Sequence, residues 1–345
     1  MDKGGGGTGV ASLRTRLRLR EVEQYLKTRL QDIAQYLPAE RKQSNSLLET
    51  IAGRLSDSGG KRIRPMLCIL AAKLVDSESE PDDKLIRLAA AMELLHTATL
   101  LHDDVIDDAT IRRGLPAAHV QFGNSLAILA GDHVLVRALD LVASVDNTAI
   151  LQDMISTMGV LVQGELIQLQ CRNMMCFRRR TYFQIVRMKT ASLMSYSLRA
   201  GALYRNADAH TINILTRFGR TIGTVYQLID DCLDYASQTP VLGKQVLSDV
   251  REGKLTYPLI LAVERRPELV EAIRRVAAGG KSDEVDLTAL EAIRSAVFET
   301  GAISDTMLLA EKWTDKATEI LLHLPPSRYL DALREITRHL LQRLS

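Results

Sequence analysis

The sequence predicts an all-α protein built as a bundle of long antiparallel helices. Apolar residues recur at three- and four-residue spacing almost throughout. Only 9 prolines punctuate the 345 residues, and aromatics, which favour strands, make up 4%. Hydrophobic residues at 46% and charged residues at 25% give an ordinary globular balance. The formal net charge of +2 offers no electrostatic footprint for nucleic acid.

The first helical stripe is Leu26, Leu30, Ile33 and Leu37, stopped by Pro38; the second is Leu47, Leu48, Ile51 and Leu55, stopped by Gly59-Gly60. Further helices are expected over 62–76, 83–108, 122–144, 147–171, 176–204 and 208–236. The pattern loosens from Ala236 to Gly243, then resumes near 254–264, 267–278, 286–299, 303–322 and 327–344. Gly279 to Asp283 is the expected mobile loop of the C-terminal third. No linker divides the chain and no fixed repeat suggests a solenoid, so residues 21–345 read as one domain behind a flexible segment 1–20.

Cys68, Cys171, Cys176 and Cys232 lie scattered in apolar surroundings, suggesting neither a disulfide framework nor a zinc site. A reducing, cytoplasmic setting is expected. No run of 18 apolar residues is present, and the first residues lack the apolar core of a secretory signal. Arg14, Arg16, Arg18 and Arg20 keep an organellar transit segment as the alternative.

The chemistry-bearing segment is His102-Asp103-Asp104-Val105-Ile106-Asp107-Asp108. Asp103 and Asp107 are one helical turn apart and share a face, as do Asp104 and Asp108. Their mutual repulsion, together with a helix C-terminus that disfavours negative charge, would be relieved by a cation. The device recurs at Asp230-Asp231-Cys232-Leu233-Asp234. One such run alone is as readily a solvated helix end. Two runs ending apolar helices can face each other across a bundle and hold hard cations with a diphosphate between them.

In these residues the sequence resembles the trans-isoprenyl diphosphate synthases, head-to-tail prenyltransferases, over roughly residues 45–345. Gly59-Gly60-Lys61-Arg62-Ile63-Arg64-Pro65 matches the family's GGKRxRP element, and Glu93 to His96 precede the first acidic motif at the family's distance. Arg112-Arg113-Gly114, Gly131-Asp132, Gly164-Glu165 with Gln168, Lys189-Thr190-Ala191 and Tyr226-Gln227 match further elements, as do Gly243-Lys244, Asp249 and Gly253-Lys254. The resemblance implies an all-α isoprenoid-synthase bundle around a central cavity. It implies ionisation of an allylic diphosphate, attack on the carbocation by isopentenyl diphosphate, and loss of a proton. The cofactor implied is Mg²⁺, three ions per site with bound diphosphate.

By the same resemblance Asp103, Asp107 and Asp230 are direct metal ligands, and Asp104, Asp231 and Asp234 complete the outer shell. Arg112, Lys189, Thr190 and Lys244 contact the allylic diphosphate, with Gln227 closing that site. Lys61, Arg64, His96 and Arg113 receive isopentenyl diphosphate; alone, these would read as an exposed basic helix start and a packed histidine. No side-chain general base is expected, because the departing pyrophosphate takes the proton. Lys254 and Asp249 are expected to latch the following loop over the site.

Thr99 and Ala98, four and five residues before Asp103, lie about one turn below it, where short-chain members of the family carry an aromatic floor. Two small residues there point to a deeper tunnel and a long-chain product, such as a quinone side-chain precursor. The alternative is that both only pack helix on helix and the product is geranylgeranyl or farnesyl diphosphate. A class I terpene cyclase fits less well, because it has no use for the GGKRIRP element. A non-catalytic subunit of a heteromeric synthase is opposed by two intact acidic motifs. The resemblance also implies a homodimer. Arg178-Arg179-Arg180 reads as a solvated helix start or as a transient membrane contact for releasing an apolar product.

Overall fold

The structure, a computed structural model, describes residues 7–38, 47–57, 61–236, 247–279 and 286–341. Gly59, Gly60, Gly243, Lys244 and the 280–283 part of the expected mobile loop fall outside the described residues.

The helices follow the predicted stripes closely. They are α1 Gly7–Ala34, α2 Leu47–Asp57, α3 Ile63–Val75, α4 Asp83–Ile106, α5 Ala118–Phe122, α6 Asn124–Ala143 and α7 Thr148–Met174. Next come α8 Arg179–Val186, α9 Ser192–Tyr204, α10 Ala209–Ala236, α11 Ser248–Arg251 and α12 Tyr257–Arg265. The chain closes with α13 Leu269–Gly279, α14 Leu287–Glu299, α15 Ala302–Leu321 and α16 Arg328–Leu341. Helix α1 runs through residue 20, so the expected boundary there is not a break in secondary structure.

Helix α4 is apolar on nearly every side and sits in the middle of the bundle, with Leu85, Leu88, Met92 and Leu101 fully buried. Asp82 starts it, accepting from the Leu85 N–H at 2.9 Å. Helix α4 packs on α6 and α3, while α10 packs on α9 and α15. Gly131 permits the first of these contacts: a Cβ there would stand 2.3 Å from His102 Nε2.

Two local features were not legible in the periodicity. A stretch expected as one helix, 176–204, is instead α8 and α9 joined by a π-helical turn, Arg187–Ala191. The segment after α4 is a hairpin, with β1 Ile111–Arg112 paired antiparallel to β2 Leu115–Pro116. Its turn residues, Arg113 and Gly114, both have positive φ (52° and 79°), the geometry that joins two strands through two residues.

Candidate active site

A cavity of about 840 Å³ opens between the C-terminal halves of α4 and α10, walled by α7, the π turn and the segment after α11. Its wall contains Arg64, His96, Thr99, Asp103, Asp107, Arg112, Arg113, Lys189, Thr190, Gln227, Asp230, Asp231, Asp234 and Lys254. Residues predicted from distant parts of the sequence are thus gathered around one space. Lys61 is exposed and outside that wall, Asp104 is buried behind it, and Lys244 is not among the described residues.

The six aspartates divide by partner. Asp104 is fully buried and receives Arg112 through Nε at 2.7 Å and through Nη2. Asp231 accepts from Gln227 Nε2 at 2.8 Å, Tyr182 Oη at 2.7 Å and the Tyr257 N–H at 2.9 Å. Burial pushes its carboxyl up to about 7 against these stabilising hydrogen bonds. Asp234 accepts from the Ser248 N–H at 3.1 Å, the Ser248 hydroxyl at 2.9 Å and the Asp249 N–H at 3.2 Å, which fixes the start of α11. These three carboxylates therefore bind protein donors and position the walls.

Asp103 and Asp107 meet cations instead. Lys189 Nζ lies 3.4 Å from Asp103 Oδ2 and also pairs with Glu165. Lys254 Nζ is 2.8 Å from Asp107 Oδ2, and Arg172 Nη1 is 3.6 Å from Asp107 Oδ1. Among the described residues no three His, Cys, Asp or Glu side chains converge to hold a metal unaided. A hard divalent cation still fits this donor set: one or two carboxylates per ion suffice when water and phosphate oxygens complete the shell. The cations now beside Asp103 and Asp107 mark where positive charge is favoured.

Lys189 and Thr190 both face the cavity and both lie on the π turn. Thr190 Oγ1 donates to Gln227 Oε1 at 2.8 Å, joining the π turn to Asp231 through the Gln227 amide. Gly164 lets α7 come this close, since a Cβ there would lie 2.8 Å from Met188 Cβ.

A second group forms around Arg64, His96 and Arg113. Burial lowers the pKa of both guanidinium groups despite the nearby Glu93. Burial also raises Glu93 despite the same arginines, and it lowers His96 well below its ordinary value with help from Arg64 and Arg113. Arg64 Nε is buried without a hydrogen-bond partner among the described residues. Partly desolvated guanidinium groups of this kind can take an anion. The hairpin turn sorts the two neighbouring arginines, sending Arg112 to Asp104 and Arg113 towards Arg64.

Thr99 stands in the wall with Leu100, Leu161, Val162 and Leu166, which form an apolar flank. Ala98 does not: it is 1% exposed, in the helix-packed core with Met92 and Leu95. Of the two residues expected to line a tunnel, only Thr99 reaches the wall of this cavity, as adjacent helix positions diverge by about 100°.

Sequence reasoning missed Arg172 and Tyr182 and gave Glu165 no role. Glu165, Leu169 and Arg172 recur at four- and three-residue spacing on α7 and share the cavity face. That spacing was the available signal. Arg178 and Arg180 are exposed, while Arg179 is paired with Glu264. Among the described residues no helix is long and apolar enough to cross a membrane.

An all-α bundle that opposes two acidic helix ends across one cavity, beside a separate buried anion pocket, defines a prenyltransferase acting on diphosphates. The chain belongs to the polyprenyl synthetase family, whose family model matches residues 45–293. It is 36% identical over 301 residues to the all-trans-nonaprenyl-diphosphate synthase (geranyl-diphosphate specific) of Rhodobacter capsulatus, covering 87% of this chain and 90% of that one. It is 34% identical over 317 residues to the octaprenyl diphosphate synthase of Escherichia coli K12, covering 91% and 96%. Its fold matches the crystal structure of a polyprenyl synthase from Caulobacter crescentus complexed with calcium and isoprenyl diphosphate. The TM-score is 0.85 at 32% identity, covering 95% of this chain and 98% of that one.

Proposed function

We propose that the protein is a long-chain trans-polyprenyl diphosphate synthase, condensing isopentenyl diphosphate head to tail with an allylic diphosphate to make a quinone side-chain precursor. The observation that carries this reading is the pairing of two anion sites of different chemistry in one cavity. One is flanked by Asp103, Asp107 and Asp230; the other is made by Arg64, Arg113 and His96, with the single buried carboxylate Glu93 beside the two arginines. A substrate whose diphosphate leaves and one whose diphosphate stays need that difference.

Asp103, Asp107 and Asp230 would hold Mg²⁺, three ions per site in this reading, supplying positive charge that offsets the departing diphosphate. Lys189, Thr190 and Arg112 would bind the allylic diphosphate oxygens; Arg112 spends only part of its five-donor fork on Asp104. Arg64 and Arg113 would clamp isopentenyl diphosphate in pairs of hydrogen bonds, with neutral His96 as a further partner. Leu100, Leu161, Val162 and Leu166 would take the growing chain and keep water from the cation. The departing pyrophosphate would accept the proton.

Long-chain specificity is supported by Thr99 and Leu100, which stand on α4 below Asp103 where an aromatic floor is absent. A homodimer is supported by exposed apolar residues outside the cavity wall, Leu129 and Val136 seven apart on α6 and Ile155 on α7. Sedimentation at twice the 38.3 kDa chain mass tests it. The free thiols fit a reducing cytoplasm.

Purified protein incubated with labelled isopentenyl diphosphate, Mg²⁺ and each allylic starter should yield products longer than geranylgeranyl diphosphate on chromatography. Products that stop at farnesyl or geranylgeranyl diphosphate would contradict the long-chain reading, and no condensation would contradict the enzyme.

A further inference from the structure

Two cysteines five positions apart meet at the C-terminal end of α7. The helix closes with Met175 in the left-handed region, φ 49°. The Met175 N–H donates to the Arg172 carbonyl at 3.2 Å, and the Cys176 N–H donates to the Cys171 carbonyl at 3.0 Å. This double closure, the Schellman motif, brings the side chains of its first and last residues into contact. Here both are thiols. Cys171 Sγ donates to the Cys176 carbonyl at 3.2 Å, and burial together with a side-chain hydrogen bond from Cys176 raises the Cys171 thiol to about 12.

Both residues stand in the cavity wall. Cys171 is buried, whereas Cys176 is partly exposed and donates to the Thr181 hydroxyl at 3.8 Å. The remaining two cysteines, Cys68 and Cys232, are fully buried. A non-glycine residue held left-handed between two cysteines whose backbones are hydrogen-bonded together is the kind of constrained turn that accompanies function.

We propose that Cys171 and Cys176 form an oxidisable dithiol in the wall of the cavity, converted by a hydroperoxide into an intrachain disulfide that lowers turnover. Cys176, the accessible partner, attacks the peroxide: its sulfur gains a hydroxyl as a sulfenic acid, the O–O bond breaks, and the peroxide leaves as an alcohol or water. Cys171 then attacks that sulfur. An S–S bond forms, the S–O bond breaks, and the hydroxyl departs with the Cys171 proton as water. The two sulfurs together give up the two electrons that reduce the peroxide. The Cys171 Sγ, already 3.2 Å from the Cys176 carbonyl oxygen, has only to turn from the backbone of Cys176 to its side chain.

Arg172 lies within the closed loop, 3.6 Å from Asp107 Oδ1 and 3.3 Å from the Glu252 carbonyl through the same nitrogen. Joining the sulfurs draws Cys171 Sγ off the Cys176 carbonyl and resets the turn that aims this guanidinium at the acidic cluster.

The test treats the folded protein with hydrogen peroxide, quenches it, and counts thiols after denaturation, with peptide mapping of the product. Two of the four thiols should disappear into one Cys171–Cys176 link, and isopentenyl incorporation should fall and recover with dithiothreitol. Cys171→Ser and Cys176→Ser should each abolish the link. Four intact thiols, a link to Cys68, Cys232 or another chain, or Cys176 over-oxidised without a link would overturn the dithiol. A link that leaves turnover unchanged would overturn its regulatory effect. The thiol count does not depend on the assigned activity, so the two can fail separately.

Discussion

The Lys254 ammonium lies 2.8 Å from Asp107 Oδ2, so the segment that follows α11 is ion-paired to the acidic end of α4 across the cavity. Asp107 is almost wholly enclosed, its side chain 1% exposed; desolvation alone would weaken the Lys254 base, but the negative charges of Asp107, Asp249 and Glu252 outweigh it and hold the ammonium above its usual range. The Lys254 N–H also donates to the Asp249 carbonyl at 2.7 Å, and Asp249 in turn leans on Asp234. The two acidic helix ends are thereby connected through one short stretch of chain.

Lys254→Ala removes that connection. Breaking a fully buried ion pair from one side costs about 3–5 kcal/mol. The Lys254 side chain is 24% exposed, so about 1–3 kcal/mol is expected here. Urea denaturation of the ligand-free protein measures this loss. The ratio of allylic diphosphate hydrolysis to coupling should rise as well, because the segment no longer seals the cavity; an unchanged ratio removes the latch from the account.

Arg64→Gln and Arg113→Gln should raise the KM for isopentenyl diphosphate by about 10–100-fold, since hydrogen bonds between charged groups contribute about 1.5–3 kcal/mol. The KM for the allylic starter should move far less. Equal changes for both substrates in steady-state kinetics would mean that the two anion sites are one.

Thr99→Phe should shorten the product, because Thr99 stands in the apolar wall below Asp103. Ala98→Phe should instead cost about 1–3 kcal/mol of stability by overpacking the core. Product chromatography beside thermal unfolding separates these outcomes. A shorter product from Ala98→Phe with Thr99→Phe unchanged would reverse the assignment of the two positions.

His96 sets a pH dependence. Burial, with Arg64, Arg113 and Arg112 around it, depresses its folded pKa well below 6.5. The unfolded chain takes up that proton near about 6.5, so below this pH the unfolded state binds more protons. The stability contributed by neutral His96 is therefore intact above about 6.5 and is lost as the pH falls from there through the folded value. His96→Gln, which cannot titrate, should flatten this decline in urea midpoints; parallel curves would contradict it.

Much of this arrangement was legible because helices write their faces into the sequence. Asp103 and Asp107, four apart at the end of an apolar helix, could only point the same way, and so could Glu165 and Arg172 had the α7 face been read through. Which of two adjacent aspartates turns inward depends on how α4 and α10 are rotated against their neighbours, so the burial of Asp104 and Asp231 was not legible. The π turn that carries Lys189 and Thr190 leaves no mark in apolar spacing. Arg113-Gly114 joins strands too short to alternate, so the hairpin left no mark in the apolar spacing. The meeting of Cys171 and Cys176 depends on a left-handed Met175, a residue with no intrinsic preference for that conformation.

The central claim is that Asp103, Asp107 and Asp230 are the carboxylates that take metal with diphosphate, while Asp234 positions a loop. Single-turnover measurement of allylic diphosphate ionisation, with and without a chelator, tests it on Asp103→Asn, Asp230→Asn and Asp234→Asn. Chelation should abolish ionisation by the unaltered protein. Asp103→Asn and Asp230→Asn should slow it by about 10²–10³-fold, the scale of losing one preorganised charge-stabilising group. Asp234→Asn should lose much less, because the asparagine oxygen still accepts from the Ser248 N–H and hydroxyl and only the acceptor for the Asp249 N–H is lost. Full ionisation in the presence of chelator, or equal losses in all three variants, would contradict the account.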